Sequence, residues 1–183
     1  MLRQGYVSAQ FAPTISEVKS STYCCNASIC VVELCHKTSK EKNVDCRVKW
    51  VGTDGMSFVA ETESGHAFVM DGAVEGGGRN LGPRPMEAVL AGTGACSAYD
   101  VVVILKKSKQ QVTGCEVRLQ AERAETDPKV FTKIHMHFVV RGRDLKPSTV
   151  ESAIKLSHGK YCSASAMLGK TAAITYDCEI IAE

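Results

Sequence analysis

Cys96 and Cys162 each sit in an apolar, helix-patterned run, GPRPMEAVLAGTGACSAYDVVVIL and HGKYCSASAMLGK, beside small or polar neighbours. Two thiols held on packed helices can act as nucleophile and resolving partner. A thiolate attacks a peroxide oxygen, becomes a sulfenic acid, and a second thiol closes on it as a disulfide. Free cysteine is also among the most buried residue types, so plain core packing is the bland alternative. Local sequence separates the two thiols. Cys96 lies mid-helix with Asp100 one turn later, an anion that raises the pKa of a facing thiol. Cys162 follows Lys160 and heads its own short helix, which favours a thiolate, so Cys162 reads as the easier of the two to ionise.

Other chemistry-bearing groups are thinner. His135 and His137 share one strand face and could chelate a metal, but no third ligand is in view, so an exposed strand face is the better account. His158 near Cys162 suggests a Cys–His dyad or, equally, a cation at a helix C-terminus. Cys115 and Cys178 sit in alternating strands and read as core filler. Ser97 lacks the Gly-x-Ser-x-Gly setting of a serine hydrolase. The triple glycine Gly76–Gly78 has no following Lys-Ser/Thr and so reads as a mobile connector, not a phosphate loop. Cys24, Cys25, Cys30, Cys35 and His36 match no zinc-ligand pair spacing, and no metal is expected.

The elements that must position Cys96 and Cys162 emerge from periodicity. Arg47–Val51, Met56–Thr62 and His66–Met70 are short strand patterns separated by turn signals at Gly52-Thr53-Asp54-Gly55 and Ser64-Gly65. Pro85 opens a long helix, Glu87 lies in its first turn, and Lys106 and Lys107 close it. Residues 88–105 are apolar all round, as expected of a central helix covered by several neighbours. Residues 112–123 and 131–140 alternate with period two. Ser148-x-x-Glu151 has the form of a capping box for a helix reaching Ser157, and Cys162–Gly169 makes another short helix. Ala172–Ile181 ends the chain as a strand with Ile174, Tyr176, Cys178 and Ile180 on one face. Three strands, a helix, two strands, two helices and a strand make an α+β fold, an antiparallel sheet with a central buried helix.

Composition narrows the partners. A net charge of +2 with no polybasic stripe gives no reason to expect nucleic acid. The Ala88–Leu105 run could suggest a membrane span, but Asp100, Thr93 and Ser97 within it would be costly there, so no membrane is expected. The first twenty residues lack a secretory apolar core, which makes a reducing cytoplasm the default and structural disulfides unexpected. Residues 1–43 show no sustained period and read as a disordered extension; a GTG codon at Val44 would make them a non-native start, leaving 44–183 as the domain.

Three stretches carry a resemblance: GPRPMEAVLAGTGACSAYDVV, GRDLKPSTVESAIKLSHGKYCSASAML and ITYDCEII. Together they resemble the OsmC-like, organic hydroperoxide resistance family over Arg47–Ile181, in a less characterised branch. The resemblance implies an intertwined homodimer with Cys96 as peroxidatic and Cys162 as resolving thiol. It implies an organic hydroperoxide as substrate, a dithiol reductant such as a lipoyl protein, and no bound cofactor. Two positions depart from the family pattern. The first turn holds Thr53 where peroxidase members carry arginine, and Met86 comes directly after the helix-opening proline where they carry glutamate. Arg79 and Arg84 are the candidates for the missing cation. Glu87 lies nine residues before Cys96, on the opposite face of a straight helix. The alternative to a peroxidase is a non-enzymatic OsmC-like protein that binds a small ligand or senses oxidants. Val89, Leu90, Met167 and Leu168 are the expected lining of an approach for a fatty peroxide.

Overall fold

The computed structural model describes residues 44–183, so the expectations for the first 43 residues, the cysteine–histidine cluster and the Val44 start among them, lie outside the described part. Two three-stranded sheets and three α-helices make up the α+β fold. The first sheet, β1 (Cys46–Trp50), β2 (Phe58–Thr62) and β3 (Ala67–Met70), is an antiparallel meander. The second has the order β4 (Gln111–Arg123), β5 (Phe131–Arg143), β6 (Ala173–Ala182). The alternating residues Ile134, Met136, Phe138 and Val140 of β5 turn one face inward. Between β5 and β6 come α2 (Pro147–Leu156), one π-helical turn at Ser157–Tyr161, and α3 (Ser163–Leu168). β6 runs parallel to β5, with Met136 opposite Tyr176, so this sheet is mixed and not wholly antiparallel as the sequence suggested. The helical connection is what permits this, since a parallel return needs a crossover of a dozen or more residues.

The long helix α1 (Pro85–Lys107) packs against β4, α2 and α3. Its buried positions, Thr93, Gly94, Ser97, Val101 and Leu105, recur at helical spacing and form one stripe. Gly94 lets the helix close on β4, because a Cβ there would lie 2.6 Å from Leu119 Cδ1. That stripe is fully covered, with Met86, Leu90 and Ile104 partly buried beside it. Val89 and Tyr99 face outward at 44% and 68% exposure, so the all-round covering expected of a central helix is not supplied by the described residues.

The loop from Asp71 to Arg84, expected to be a mobile connector, is pinned from within. Asp71 is fully buried, and its carboxylate accepts hydrogen bonds from the backbone N–H of Gly72 (2.8 Å), Arg79 (2.9 Å) and Leu81 (3.0 Å) and from Ser57 Oγ (3.2 Å). The Leu81 N–H contributes most to holding the Asp71 carboxyl below its ordinary range, and the Arg79, Gly72 and Ser57 donors add to it against the cost of burial. Gly78 closes against this anchor, since a Cβ there would come 2.0 Å from Gly72 O.

The Ser148/Glu151 capping box does not form. Lys146 is the N-cap of α2, Pro147 takes the first helical position, and Ser148 O accepts a bond from Ser152 Oγ inside the helix. Proline at that position already removes one orphan donor, and Lys146 N–H donates to Gln110 Oε1 instead.

Candidate functional site

Cys96 and Asp100 are one turn apart on α1, beside its buried stripe. Cys162 is the N-cap of α3, delivered there by the π turn, whose closing bond runs from Cys162 N–H to Ser157 O at 2.8 Å. A π turn inserts one residue into the helical path and re-aims the next segment of chain, and such turns are frequent at functional sites. The result brings together three groups from separate segments. The sulfurs of Cys96 and Cys162 and a carboxylate oxygen of Asp100 all lie within 4.8 Å of one another. Both cysteines are free thiols, Cys96 half-buried and Cys162 buried.

Three serines complete the cluster. Ser97 Oγ and Ser165 Oγ each donate to Cys162 Sγ at 3.2 Å, and Ser165 N–H donates to the same sulfur at 3.4 Å. Ser157 Oγ lies 3.2 Å from Asp100 Oδ2 and 3.4 Å from Ser97 O, tying the π turn to α1. Ser97, Ser157 and Ser165 are all buried, so these bonds form out of water, where leaving a partner unmade is costly.

The two thiols are therefore unequal. Burial pushes the Cys96 thiol up, and the neighbouring Cys162 sulfur and Asp100 carboxylate push the same way, with only the Ala164 N–H opposing them. Burial also opposes ionisation of Cys162, but the Ser165 and Ser97 hydroxyls, the Ser165 N–H and the Cys96 thiol together outweigh it and hold Cys162 below the ordinary thiol value. The arrangement is a Cys96 thiol hydrogen-bonded to the more acidic of the two sulfurs, that of Cys162. Sequence alone points to Cys162 as the more acidic, and its place at the head of α3 contributes as expected through the Ser165 N–H, whereas Lys160 does not. Lys160 Nζ lies over the Tyr161 ring, 5.4 Å from its centroid, and the serines do the stabilising.

The supporting residues expected around Cys96 go elsewhere. Glu87 Oε2 accepts from Arg84 N–H at 2.9 Å, so its carboxylate caps α1, of which Arg84 is the N-cap. Arg79 lies over the first turn: Cβ atoms built on Gly55 and Gly52 would be 3.1 Å from its Nε and 3.7 Å from its Nη2. All three are exposed, and the charged group that faces Cys96 is Asp100. The apolar approach also differs from expectation. A groove of about 520 Å³ beside Asp100 is lined by Tyr99, Val103, Ile104, Leu156 and Tyr161 together with Lys107 and Ser108, whereas Leu90 and Leu168 pack toward the core.

His158 forms no hydrogen bond with Cys162 among the described residues. Its ring stacks on Tyr176 with centroids 5.2 Å apart. His135 and His137 are engaged by β6, His135 Nδ1 with Thr175 Oγ1 at 2.9 Å and His137 Nδ1 with Asp177 Oδ1 at 2.6 Å. Cys115 and Cys178 pack against the core as expected, and burial raises both thiols. The one set of metal-capable groups spaced closely enough among the described residues is Cys96, Asp100 and Cys162, a sulfur-rich set of the kind that suits zinc. What the sequence missed were Ser97, Ser157 and Ser165. Ser97 carried a readable signal, since it continues the Thr93–Val101 stripe into the core.

Comparison with known proteins settles the lineage. A family model for OsmC-like protein matches residues 76–177. Protein YhfA of Escherichia coli strain K12 is 48% identical over 139 residues, spanning 76% of this chain and 99% of that protein. The chain belongs to the OsmC-like family. Its OsmC-like fold is shared by a hypothetical protein from Aquifex aeolicus VF5, at 27% identity and a TM-score of 0.68 over 78% of this chain and 98% of that one. An organic hydroperoxide resistance protein from Legionella pneumophila has the same fold, at 16% identity and a TM-score of 0.55 over 75% of this chain and 96% of that one.

Proposed function

We propose that this OsmC-like protein is a dithiol-dependent reductase of organic hydroperoxides, working through Cys96 and Cys162. The observation that carries the reading is the pair of sulfurs within 4.8 Å, one half-buried, the other buried and held toward its thiolate by three donors. Membership of a family that includes organic hydroperoxide resistance proteins supports it.

As Cys96 Sγ attacks a peroxide oxygen, its proton passes to the adjacent Cys162 sulfur. The O–O bond breaks, the alkoxide leaves and takes up a proton as the alcohol, and Cys96 becomes a sulfenic acid. Cys162 Sγ, giving up its proton, attacks Cys96 Sγ. A disulfide forms and the sulfenic oxygen leaves as water. A dithiol, of the lipoyl type, then reduces the disulfide and is itself oxidised. The groove beside Asp100, with its aromatic and branched lining, suits an alkyl or fatty peroxide better than hydrogen peroxide.

Two apolar surfaces support a homodimer. Val48, Trp50 and Phe68 on one face of the first sheet and Val89 of α1 are each exposed by more than two fifths. A second copy is the partner that the proposal assigns to them.

A second reading is favoured by one feature: burial, with Asp100 adding to it, holds Cys96 above the ordinary thiol range, which keeps its thiolate fraction small at neutral pH. A sensor needs only one slow, reversible oxidation. Turnover separates the two. With dihydrolipoamide and an organic hydroperoxide such as cumene hydroperoxide, the reductase reading expects many cycles per protein, lost in both Cys96→Ser and Cys162→Ser. A single oxidation per protein without cycling favours the sensor, and no oxidation of either cysteine removes both.

A further inference from the structure

The disulfide that this reading places between Cys96 and Cys162 has two sulfurs, and a reductant can enter at either. We infer that Ser97 and Ser165 fix the direction of opening: the reducing thiol attacks Cys96 Sγ, and Cys162 Sγ is the leaving group. The inference rests on the proposed redox pair and goes beyond it by assigning two positioning residues and the site of the mixed disulfide.

Access and stabilisation point the same way. Cys162 is 2% exposed, closed in by α1 on one side and by its own helix α3 on the other. Cys96 is half-buried, and the Asp100 carboxylate beside it borders the open groove with Tyr99 and Tyr161. Thiol–disulfide exchange needs an approachable sulfur at one end and a stabilised thiolate at the other. Three donors converge on Cys162, against the single backbone N–H, that of Ala164, that serves Cys96. Ser97 Oγ and Ser165 Oγ at 3.2 Å and Ser165 N–H at 3.4 Å all address Cys162. The Asp100 carboxylate, near both sulfurs, disfavours negative charge and has no counter-cation in its described contacts, so it is Cys162, with three donors, that accommodates the electron pair. The depressed acidity range of Cys162 and the raised one of Cys96 agree with that geometry.

In the first exchange the reductant's thiolate forms a bond to Cys96 Sγ as the bond between Cys96 Sγ and Cys162 Sγ breaks. The bonding pair goes to Cys162 Sγ, which takes it as a thiolate under the three donors. The reductant's second thiolate then attacks its own sulfur in the mixed disulfide, expelling Cys96 as a thiolate that takes a proton from solvent. The dithiol ends as a disulfide and the protein as two thiols. Ser97 and Ser165 touch neither substrate nor reductant. They act through Cys162.

The test starts from the Cys96–Cys162 disulfide made with diamide, so that it does not depend on peroxide chemistry. A monothiol, glutathione, opens it; the reaction is quenched in acid and the adduct is mapped by mass spectrometry. The inference expects glutathione on Cys96, with at most about a tenth as much on Cys162. Ser97→Ala with Ser165→Ala should slow opening about tenfold and, in the reduced protein, move the pH profile of Cys162 ionisation, read as ultraviolet thiolate absorbance, to higher pH, and Ser165→Thr, which keeps a hydroxyl, should restore most of the rate. A merely structural role for the serines would not shift the pH profile. Glutathione found mainly on Cys162, an unchanged profile in a folded double variant, or failure of diamide to join the two cysteines would each overturn the inference. The wild-type adduct map decides it even where the double variant does not fold. If glutathione lands on Cys96 but organic hydroperoxides never form the disulfide, the peroxidase reading alone fails.

Discussion

A sulfur that accepts bonds from Ser97, Ser165 and a backbone amide is a different reagent from a thiol pressed against Asp100, although the two lie within 4.8 Å. Burial costs each the charged form and Asp100 lies near both, so what separates them is chiefly the three donors aimed at Cys162. Burial holds the Cys96 thiol up most, and Asp100 is the charged side chain that adds to it. In Asp100→Asn that anion is gone, so the Cys96 thiol becomes more acidic and more of it is ionised at pH 7. Its reaction with iodoacetamide, followed by mass spectrometry against pH, should start at lower pH than in the wild type; an unchanged profile would show that Asp100 has no hold on Cys96. Sequence reached Cys96, Asp100 and Cys162 because residue type and helical spacing place them. It misassigned the cation, since Arg79 and Arg84 follow from charge and closeness along the chain, whereas turn packing and capping claim them; Glu87 does lie away from Cys96, as its helical spacing implies.

The elements were legible where a single period governs them. The apolar run from Pro85 and the alternation of 131–143 announce α1 and β5 directly. The parallel pairing of β6 and the π turn were not legible, because each depends on contacts far off in sequence, β6 on β5 and the π turn on Ser97 and Asp100 of α1. Leu105 is fully buried at the end of the α1 stripe, and Leu105→Ala should cost about 2–5 kcal/mol in denaturant unfolding by leaving a cavity. A loss under about 1 kcal/mol would mean the site collapses around it. The glycine-rich segment is a separate case, since its order comes from Asp71. The folded state lowers the Asp71 pKa below its ordinary 3.8, so the fold favours the carboxylate. That contribution is present above the unfolded value and is lost as pH falls through the lower, folded one. The wild type should therefore lose stability below about pH 4, and Asp71→Asn should lower Tm at neutral pH while flattening that acid limb. An unaltered acid limb in the variant would place the titration elsewhere.

At the scale of the molecule, the first sheet and the open face of α1 are the unfinished parts. β1 is exposed along its whole length, and Trp50 and Phe68 are 55% and 46% exposed. The proposed dimer predicts that Trp50→Asp with Phe68→Asp shifts light scattering from a dimer mass to a monomer mass; a wild type that is already monomeric contradicts it. Composition gave no hint of this surface, because an apolar strand reads the same whether its cover comes from its own chain or another. The proposed activity itself reduces to whether two sulfurs on different helices can bond when the protein meets an organic peroxide. Its most direct measurement is one equivalent of cumene hydroperoxide added to the reduced protein, then alkylation and peptide mapping. The account predicts a Cys96–Cys162 disulfide as the main product, with Cys46, Cys115 and Cys178 still reduced. Two unmodified thiols at 96 and 162 under excess peroxide would contradict it.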